Sequence, residues 1–436
     1  MKKYILPVFA FWLVGTGLII AQNNTKSLPD CLKMALDYNA AIAISREGVA
    51  LTREKSREAS IFLRPKASVA FDYKLYGNLP TQLLPAEAFG GPVGLYKEAE
   101  FGVPHALNLN VQANWPVYNP AARAAVGVAR LAPQTAELQA LKTQEETVYA
   151  VSATYYQAQI AANQVNFLEG NIRNLVRLAE NMRLLYQQLL AKGTDVDKIT
   201  LQHELLLAQL TSAQAAYEQA VNTLKFQMGV PPDTVLDVPA KPDSLGSALV
   251  TETPADLLLI QKQGQILAAE IKIARAARLP IVSLYGFYGY NGFGKTSGDA
   301  FLKAFPLSYV GVQAAIPLYD GGLVRNRLNQ KSIEQSRLVK QENLLREKYE
   351  LDLRNAELNI RANRQVLIAH NGNISLAERL FDQTQTQLRE GVATIADVLQ
   401  AENSLREAQN NYLSALVKLR VSELERLRAA GMLPIE

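Results

Sequence analysis

Two stretches of this chain, Ala121 to Ala191 and Leu323 to Glu390, run for 71 and 68 residues in good helix formers, chiefly Ala, Gln, Leu, Glu and Arg. At about 1.5 Å per residue each predicts a helix on the order of 100 Å long, far longer than a globular domain is wide. Helices of that length need partners. Patterns such as Leu201, Leu205, Ala208 and Leu344, Leu345, Leu351 supply apolar faces for coiled-coil-like packing. Asn119-Pro120 opens the first long helix and Asp320-Gly321-Gly322 the second, both with N-cap and turn chemistry. Pro133, Gly127 and Gly170 predict local bends in the first.

The two long helices belong to an internal duplication. Trp115-Pro116-Val117-Tyr118-Asn119 matches Ile316-Pro317-Leu318-Tyr319-Asp320 at an offset of 201, and Pro65 matches Pro280 at 215. Gly193 and Gly391 each close a helical pattern 198 residues apart, and the glycines of Met228-Gly229 and Gly431-Met432 lie 202 apart. Such self-similarity sets the organisation before any other signal. It predicts a leader at 1–21, a first repeat at 22–230, a linker at 231–253 rich in Pro, Asp and Ser, and a second repeat at 254–436. Each repeat reads helix, strand, loop, strand, very long helix, glycine turn, helix.

The strand segments alternate with period two. Leu107-Asn108-Leu109-Asn110-Val111-Gln112-Ala113-Asn114-Trp115 places apolar residues on one face and amides on the other. Val69, Phe71, Tyr73 and Leu75 alternate with Ser68, Ala70, Asp72 and Lys74. In the second repeat Val282, Leu284, Gly286, Tyr288 and Tyr290 share a face, and Val310, Val312, Ala314 and Ile316 share another. Runs of about ten residues suit tilted membrane strands, with Trp115, Tyr73, Tyr76, Tyr288 and Tyr290 as an aromatic girdle. A half-buried soluble sheet fits the same alternation. On the membrane reading Asp72, Lys74, Asn108, Asn110, Gln112 and Asn114 face a barrel lumen. Four strands cannot close around a channel, so several chains must share one barrel. The Gly- and Pro-rich stretches Gly77 to Ala106 and Asn291 to Leu307 are the predicted exterior loops.

Lys2-Lys3, the apolar run Tyr4 to Ile20, and Ala21 before Gln22-Asn23-Asn24 form the pattern of a secretory signal cleaved after Ala21. No second apolar run follows that could span a bilayer as a helix, which leaves a closed barrel as the spanning solution. Forty-five basic against 41 acidic residues is too balanced for a nucleic-acid footprint. One cysteine, Cys31, and three scattered histidines offer no disulfide and no metal-ligand spacing, and no cofactor is expected. Gly292-Phe293-Gly294-Lys295-Thr296 lacks the leading glycine of a phosphate loop.

Together these residues resemble the TolC-like outer-membrane efflux proteins. The resemblance is carried by the duplication, by Arg278-Leu279-Pro280 before a strand, by Ile316-Pro317-Leu318-Tyr319-Asp320-Gly321-Gly322, and by Gly391-Val392-Ala393-Thr394-Ile395-Ala396-Asp397-Val398-Leu399. It implies a mainly α protein with a membrane β-barrel and two structural repeats. Four β-strands per chain would contribute to a trimeric 12-stranded barrel, and long α-helical hairpins would form a periplasmic tunnel. It further implies a Gram-negative outer-membrane location with a periplasmic extension, and partners comprising two further copies, outer-membrane lipid, a periplasmic adaptor (membrane fusion) protein and an inner-membrane pump or ATPase. The function implied is the exit duct of a tripartite efflux or type I secretion system, catalysing no reaction itself.

Matching the second turn to the family's gate places Asp397 on its Asp-Val-Leu position, while Gln400 stands where an acidic residue often sits. The first turn offers Asp195 and Asp197 instead. Three-fold symmetry would gather such carboxylates near the axis and attract cations. The competing reading makes Asp195 and Asp397 ordinary helix-start residues. A soluble periplasmic coiled-coil adaptor or scaffold is the alternative function. A periplasmic enzyme has no catalytic grouping to recommend it.

Overall fold

The computed structural model describes residues 25–240, 253–295 and 303–434; the expected signal at 1–21 and part of the linker lie outside the described residues. In chain order come helices α1 (Leu28–Tyr38) and α2 (Ala40–Ile61), then strands β1 (Lys66–Leu75), β2 (Thr81–Pro85), β3 (Tyr96–Glu100) and β4 (His105–Tyr118). Helices α3 (Pro120–Ala129), α4 (Ala132–Gln187), α5 (Gly193–Met228) and α6 (Ala255–Ala276) follow. The chain continues through β5 (Ile281–Gly294), β6 (Lys303–Ala315), α7 (Leu323–Arg389) and α8 (Ile395–Ala429).

Local chemistry explains most boundaries. Pro65 and Pro280 stand directly before β1 and β5, where an X-Pro step favours extended backbone. Asn119 Oδ1 accepts the Ala122 N–H at 3.0 Å with Pro120 as first helical residue. Asp320 does the same for the second long helix, its carboxylate accepting the N–H groups of Gly322 (2.9 Å) and Val324 (3.0 Å) while Gly321 and Gly322 take φ of 64° and 84°. Those backbone N–H groups, Val324's first, hold the Asp320 carboxyl below the usual range.

The helix expected from Ala121 to Ala191 is two helices. Pro133 has no N–H to give and its ring crowds the carbonyl four residues back, so α3 stops at Ala129 and α4 starts at Ala132. Gly127 and Gly170 lie inside α3 and α4 without interrupting them. The second long helix, α7, is continuous over 67 residues, about 100 Å of helix.

The chain divides into two compact units. One takes the described residues of Ala43–Thr143 and Thr253–Glu350 and holds all six strands, α3 and α6. Its main sheet is antiparallel in the order β1-β4-β5-β6. The exterior loop expected at Gly77 to Ala106 contains its own hairpin, β2 against β3, joined through a 3₁₀ turn at Ala86–Phe89. The strand signals extend further than the sequence suggested, β4 running through Pro116 to Tyr118 with a register shift there. Beside the sheet, Lys331 of α7 bridges Glu270 of α6 (2.7 Å) and Glu334 (2.8 Å).

The other unit takes the described residues of Met1–Ile42, Gln144–Glu252 and Leu351–Glu436. It has two cores. Leu28, Cys31, Tyr155, Leu224, Met228 and Leu424 anchor one, so Cys31 is an ordinary buried helix residue. The described part of the linker packs into it: Leu236 and Val238 are buried, and the Tyr217 hydroxyl donates to Asp237 at 2.5 Å. Burial and that carboxylate push the Tyr217 hydroxyl up to about 12. The second core, with Leu175, Ile199, Leu206, Phe381 and Val398, lies among α4, α5, α7 and α8 beside the two helical turns.

Candidate functional site: the strand face and the helical turns

Register decides which residues share a face of the sheet. Across β1 and β4, Lys66 faces Asn114, Ser68 faces Gln112, Ala70 faces Asn110, Asp72 faces Asn108 and Lys74 faces Ala106. All six residues expected in the lumen, Asp72, Lys74, Asn108, Asn110, Gln112 and Asn114, therefore lie on one face. Lys74 Nζ pairs with Asp72 at 2.9 Å, and Gln112 Nε2 donates to Asn110 Oδ1 at 3.0 Å. The same face continues onto β5 and β6 through Asn291, Phe287 and Tyr285, with Phe287 opposite Tyr309. This face is thus amide-rich on β1 and β4 and aromatic on β5 and β6, a division the sequence reading missed.

The opposite face carries Val69, Phe71, Leu109, Val111, Tyr288, Tyr290, Val310 and Val312. In the single chain these side chains are open to solvent: Val69 is 70 % exposed, Phe71 68 % and Val310 79 %. A continuous apolar face of this kind marks a surface that meets lipid or another protein. Tyr73 lies near the end of β1, Tyr76 directly follows that strand, and Trp115 and Tyr290 lie three and four residues from the ends of β4 and β5, with Tyr288 and Tyr290 opposite Val111 and Leu109 on the apolar face.

The helical turns correct the sequence pairing of Gly193 with Gly391. After α7, the Gly391 N–H reaches the Leu388 carbonyl (3.1 Å) and the Val392 N–H that of Gln387 (2.9 Å), with Gly391 at φ 75°. After α4, the Leu189 N–H reaches Tyr186 (2.9 Å) and the Leu190 N–H reaches Leu185 (2.8 Å), with Leu189 at φ 61°. Both are Schellman caps. The partner of Gly391 is therefore Leu189, 202 residues earlier, the spacing that also relates Gly229 to Gly431. Gly193 is instead the first residue of α5, a position where its ideal Cβ would lie 3.5 Å from the Tyr186 ring.

That offset of 202 also aligns Thr394 with Lys192, Asp397 with Asp195, and Gln400 with Lys198. Thr394 caps α8 in a full capping box: its hydroxyl (2.7 Å) and its N–H (2.8 Å) both donate to Asp397 Oδ2. The Thr394 hydroxyl, and then its N–H, hold the Asp397 carboxyl below its ordinary value. Lys192 offers no side-chain cap to α5, and Asp195 pairs with Lys198 at 3.3 Å. Asp397, Gln400 and Asp197 are exposed and Asp195 is partly so.

Sequence reasoning missed a polar seam inside the second core. Glu402 of α8 is 1 % exposed, accepts one hydrogen bond from Gln202 Nε2 of α5 (3.2 Å), and leaves its Oε1 without a partner. Burial pushes its carboxyl up, with Arg406 pulling the other way. Asn171 of α4 donates to Gln409 of α8 at 2.9 Å in a buried pair. The signal was present: Glu402 follows Val398 by four and precedes Leu405 by three, which puts it on the apolar stripe. Among the described residues no His, Cys, Asp and Glu group could hold a metal ion, and no helix is long and apolar enough to cross a membrane.

A four-stranded sheet with one polar and aromatic face and one apolar face, in a chain with helices of 56 and 67 residues, is a fold shared with solved outer-membrane proteins. The outer membrane protein VceC of Vibrio cholerae shares it with a TM-score of 0.73 at 17 % identity, over 93 % of this chain and 96 % of that one. Residues 255–431 match the family described as outer membrane efflux protein. The chain is 22 % identical to outer membrane protein TolC of Escherichia coli strain K12 over 95 % of its length and 82 % of the relative. It is 24 % identical to outer membrane efflux protein BepC of Brucella suis over 98 % and 90 %. The chain is TolC-like: its second half matches the outer membrane efflux protein family, and its fold is the one VceC has.

Proposed function

We propose that this protein is the outer-membrane exit duct of a tripartite efflux or type I secretion system, working as a homotrimer and catalysing no reaction. The observation that carries the reading is the open sheet. Its edge strands, β1 and β6, are 10 and 13 residues long, with an apolar face exposed beside them. Because the sheet is antiparallel with an even number of strands, β1 and β6 run in opposite directions. The β1 edge of one copy can then pair with the β6 edge of the next, as antiparallel ladders require. Three copies supply twelve strands, close every edge, turn the apolar face to lipid and leave the amide face lining water.

The helices of the same three copies supply the periplasmic tunnel. Asp397, Gln400, Asp195 and Asp197 stand at its helix turns as gate candidates, and Asp72, Lys74, Asn108, Asn110, Gln112 and Asn114 line the barrel. The partners are a periplasmic adaptor and an inner-membrane pump or ATPase, whose energy drives export across the outer membrane of a Gram-negative cell. The names of the relatives, outer membrane proteins TolC and BepC, support this placement. Electron microscopy of detergent-extracted protein tests it. Three-fold tapered tubes are expected; two-fold or monomeric particles that stay dispersed without detergent would replace the duct with a soluble coiled-coil adaptor.

A further inference from the structure

On the wet face, where β1 begins, the sheet forms a cleft of about 550 Å³, within the range of small-molecule sites. Its two sides differ in chemistry. Lys66, Ser68, Gln112 and Asn114 make one side, on β1 and β4. Tyr285, Phe287 and Tyr309 make the other, on β5 and β6. The aromatic side is built rather than incidental. Phe287 and Tyr309 stack flat with centroids 4.9 Å apart and planes 3° apart, and Tyr285 meets Tyr309 edge-on at 6.1 Å. Gly311 makes room for Tyr285: a Cβ there would fall 2.5 Å from the phenol ring. A glycine inside a strand is costly, and here it is what lets the ring lie across the sheet.

The charge is equally selective. Lys74, at the far end of β1, is neutralised by Asp72. Lys66 has no carboxylate partner among the described residues, and its ammonium lies 4.4 Å from the centre of the Phe62 ring. The cleft therefore offers one ammonium with no carboxylate partner among the described residues, two amide side chains and an aromatic wall within a single opening.

We propose that this cleft is a lumenal holding site for planar aromatic anions, the ring lying against Tyr309 and Phe287 and the carboxylate or sulfonate meeting Lys66. This deepens the duct reading by naming a cargo class and rests on that reading for its lumenal position. Three copies around the axis would present three equivalent sites, and a shallow cleft with one ion pair holds cargo weakly enough to release it.

The test is equilibrium binding of 1-naphthoate, followed by its fluorescence, to the full chain in lipid nanodiscs whose symmetry is established by electron microscopy. One bound anion per chain is expected. Lys66→Gln and Tyr309→Leu should each weaken binding about ten-fold, the size of one lost charged or stacking contact. Lys97→Gln, on the separate β2–β3 hairpin, should leave it unchanged, and uncharged naphthalene methanol should bind the native chain no better than 1-naphthoate binds Lys66→Gln. Three-fold particles whose 1-naphthoate affinity is the same in Lys66→Gln as in the native chain overturn the cleft and leave the duct standing. Lys66-dependent binding in particles without three-fold symmetry overturns the lumenal position and the duct together.

Discussion

The two helical turns solve one geometric problem with different residues. Both end a long helix with a Schellman cap and place the N-cap of a shorter helix three residues after the left-handed residue. In the second turn every position is filled by the residue that suits it: Gly391 at positive φ, Thr394 at the N-cap, Asp397 at N3. In the first, Leu189 occupies the left-handed position and Lys192 the N-cap, while Asp195 still stands at N3. The backbone path is thus maintained where local propensity opposes it. Packing does the holding, since Met182, Ile199 and Leu206 on either side of the first turn are buried in the shared core. A turn that holds a leucine at positive φ stores strain that the glycine turn lacks.

Three pairs of substitutions sharpen that contrast. The largest effect is expected at Glu402, whose counterpart at the 202 offset is the exposed Thr200. Its carboxyl is raised by burial. The protonated form is therefore the one folding favours, and its contribution is present below the unfolded value of 4.5 and lost as pH rises through the folded one. Glu402→Gln should raise stability at neutral pH by about 1–3 kcal/mol, the size of an unsatisfied buried polar group, and flatten the pH dependence of the urea midpoint. Thr200→Glu should introduce no such slope.

Gly391→Ala should cost about 1–2 kcal/mol, because nothing lies within 4 Å of a Cβ there and the whole penalty is left-handed backbone. Leu189→Gly should act in the opposite direction, stabilising by about 0.5–1 kcal/mol once the strain released is set against the freedom glycine gains in the unfolded chain. Equal losses at both positions would dismiss the strained first turn.

Thr394→Ala should cost about 1 kcal/mol through the lost cap, and Lys192→Ser should add about 0.5 kcal/mol by supplying one. The Asp397 carboxyl is lowered, so its contribution is present above the unfolded value of 3.8 and lost as pH falls through the folded one. Acid unfolding monitored by circular dichroism should therefore begin at higher pH in the native chain than in a variant lacking that capping box, Thr394→Ala, once the two are normalised at neutral pH. Coincident normalised curves would remove Asp397 from the stability of the second turn.

The strand pairs divide along another line. On β1 and β4, strict alternation of Asn, Gln and Asp with Val, Phe and Leu announces the polar face residue by residue, and the register puts all six of those polar residues on that one face. On β5 and β6 the wet face is Tyr285, Phe287 and Tyr309, chemically close to the apolar residues behind it. Alternation alone could not tell those faces apart, because an aromatic ring suits either. The β2–β3 hairpin was hidden for a different reason: five-residue strands carry too few repeats of any period to stand out from loop.

What the sequence determined by itself is whatever follows from spacing along the chain. The duplication shows in the spacing of matching segments, and the great length of the helices, the caps at Asn119 and Asp320 and the polarity of β4 depend on neighbours within a few turns or pleats. The tertiary structure decided what depends on distant partners. It moved the first turn's left-handed residue from Gly193 to Leu189, buried Glu402 against Gln202, and brought the aromatic rows of β5 and β6 beside the amides of β4. Periodicity is a local property that any reader of the chain can count, whereas burial and register are set by contacts between segments some two hundred residues apart.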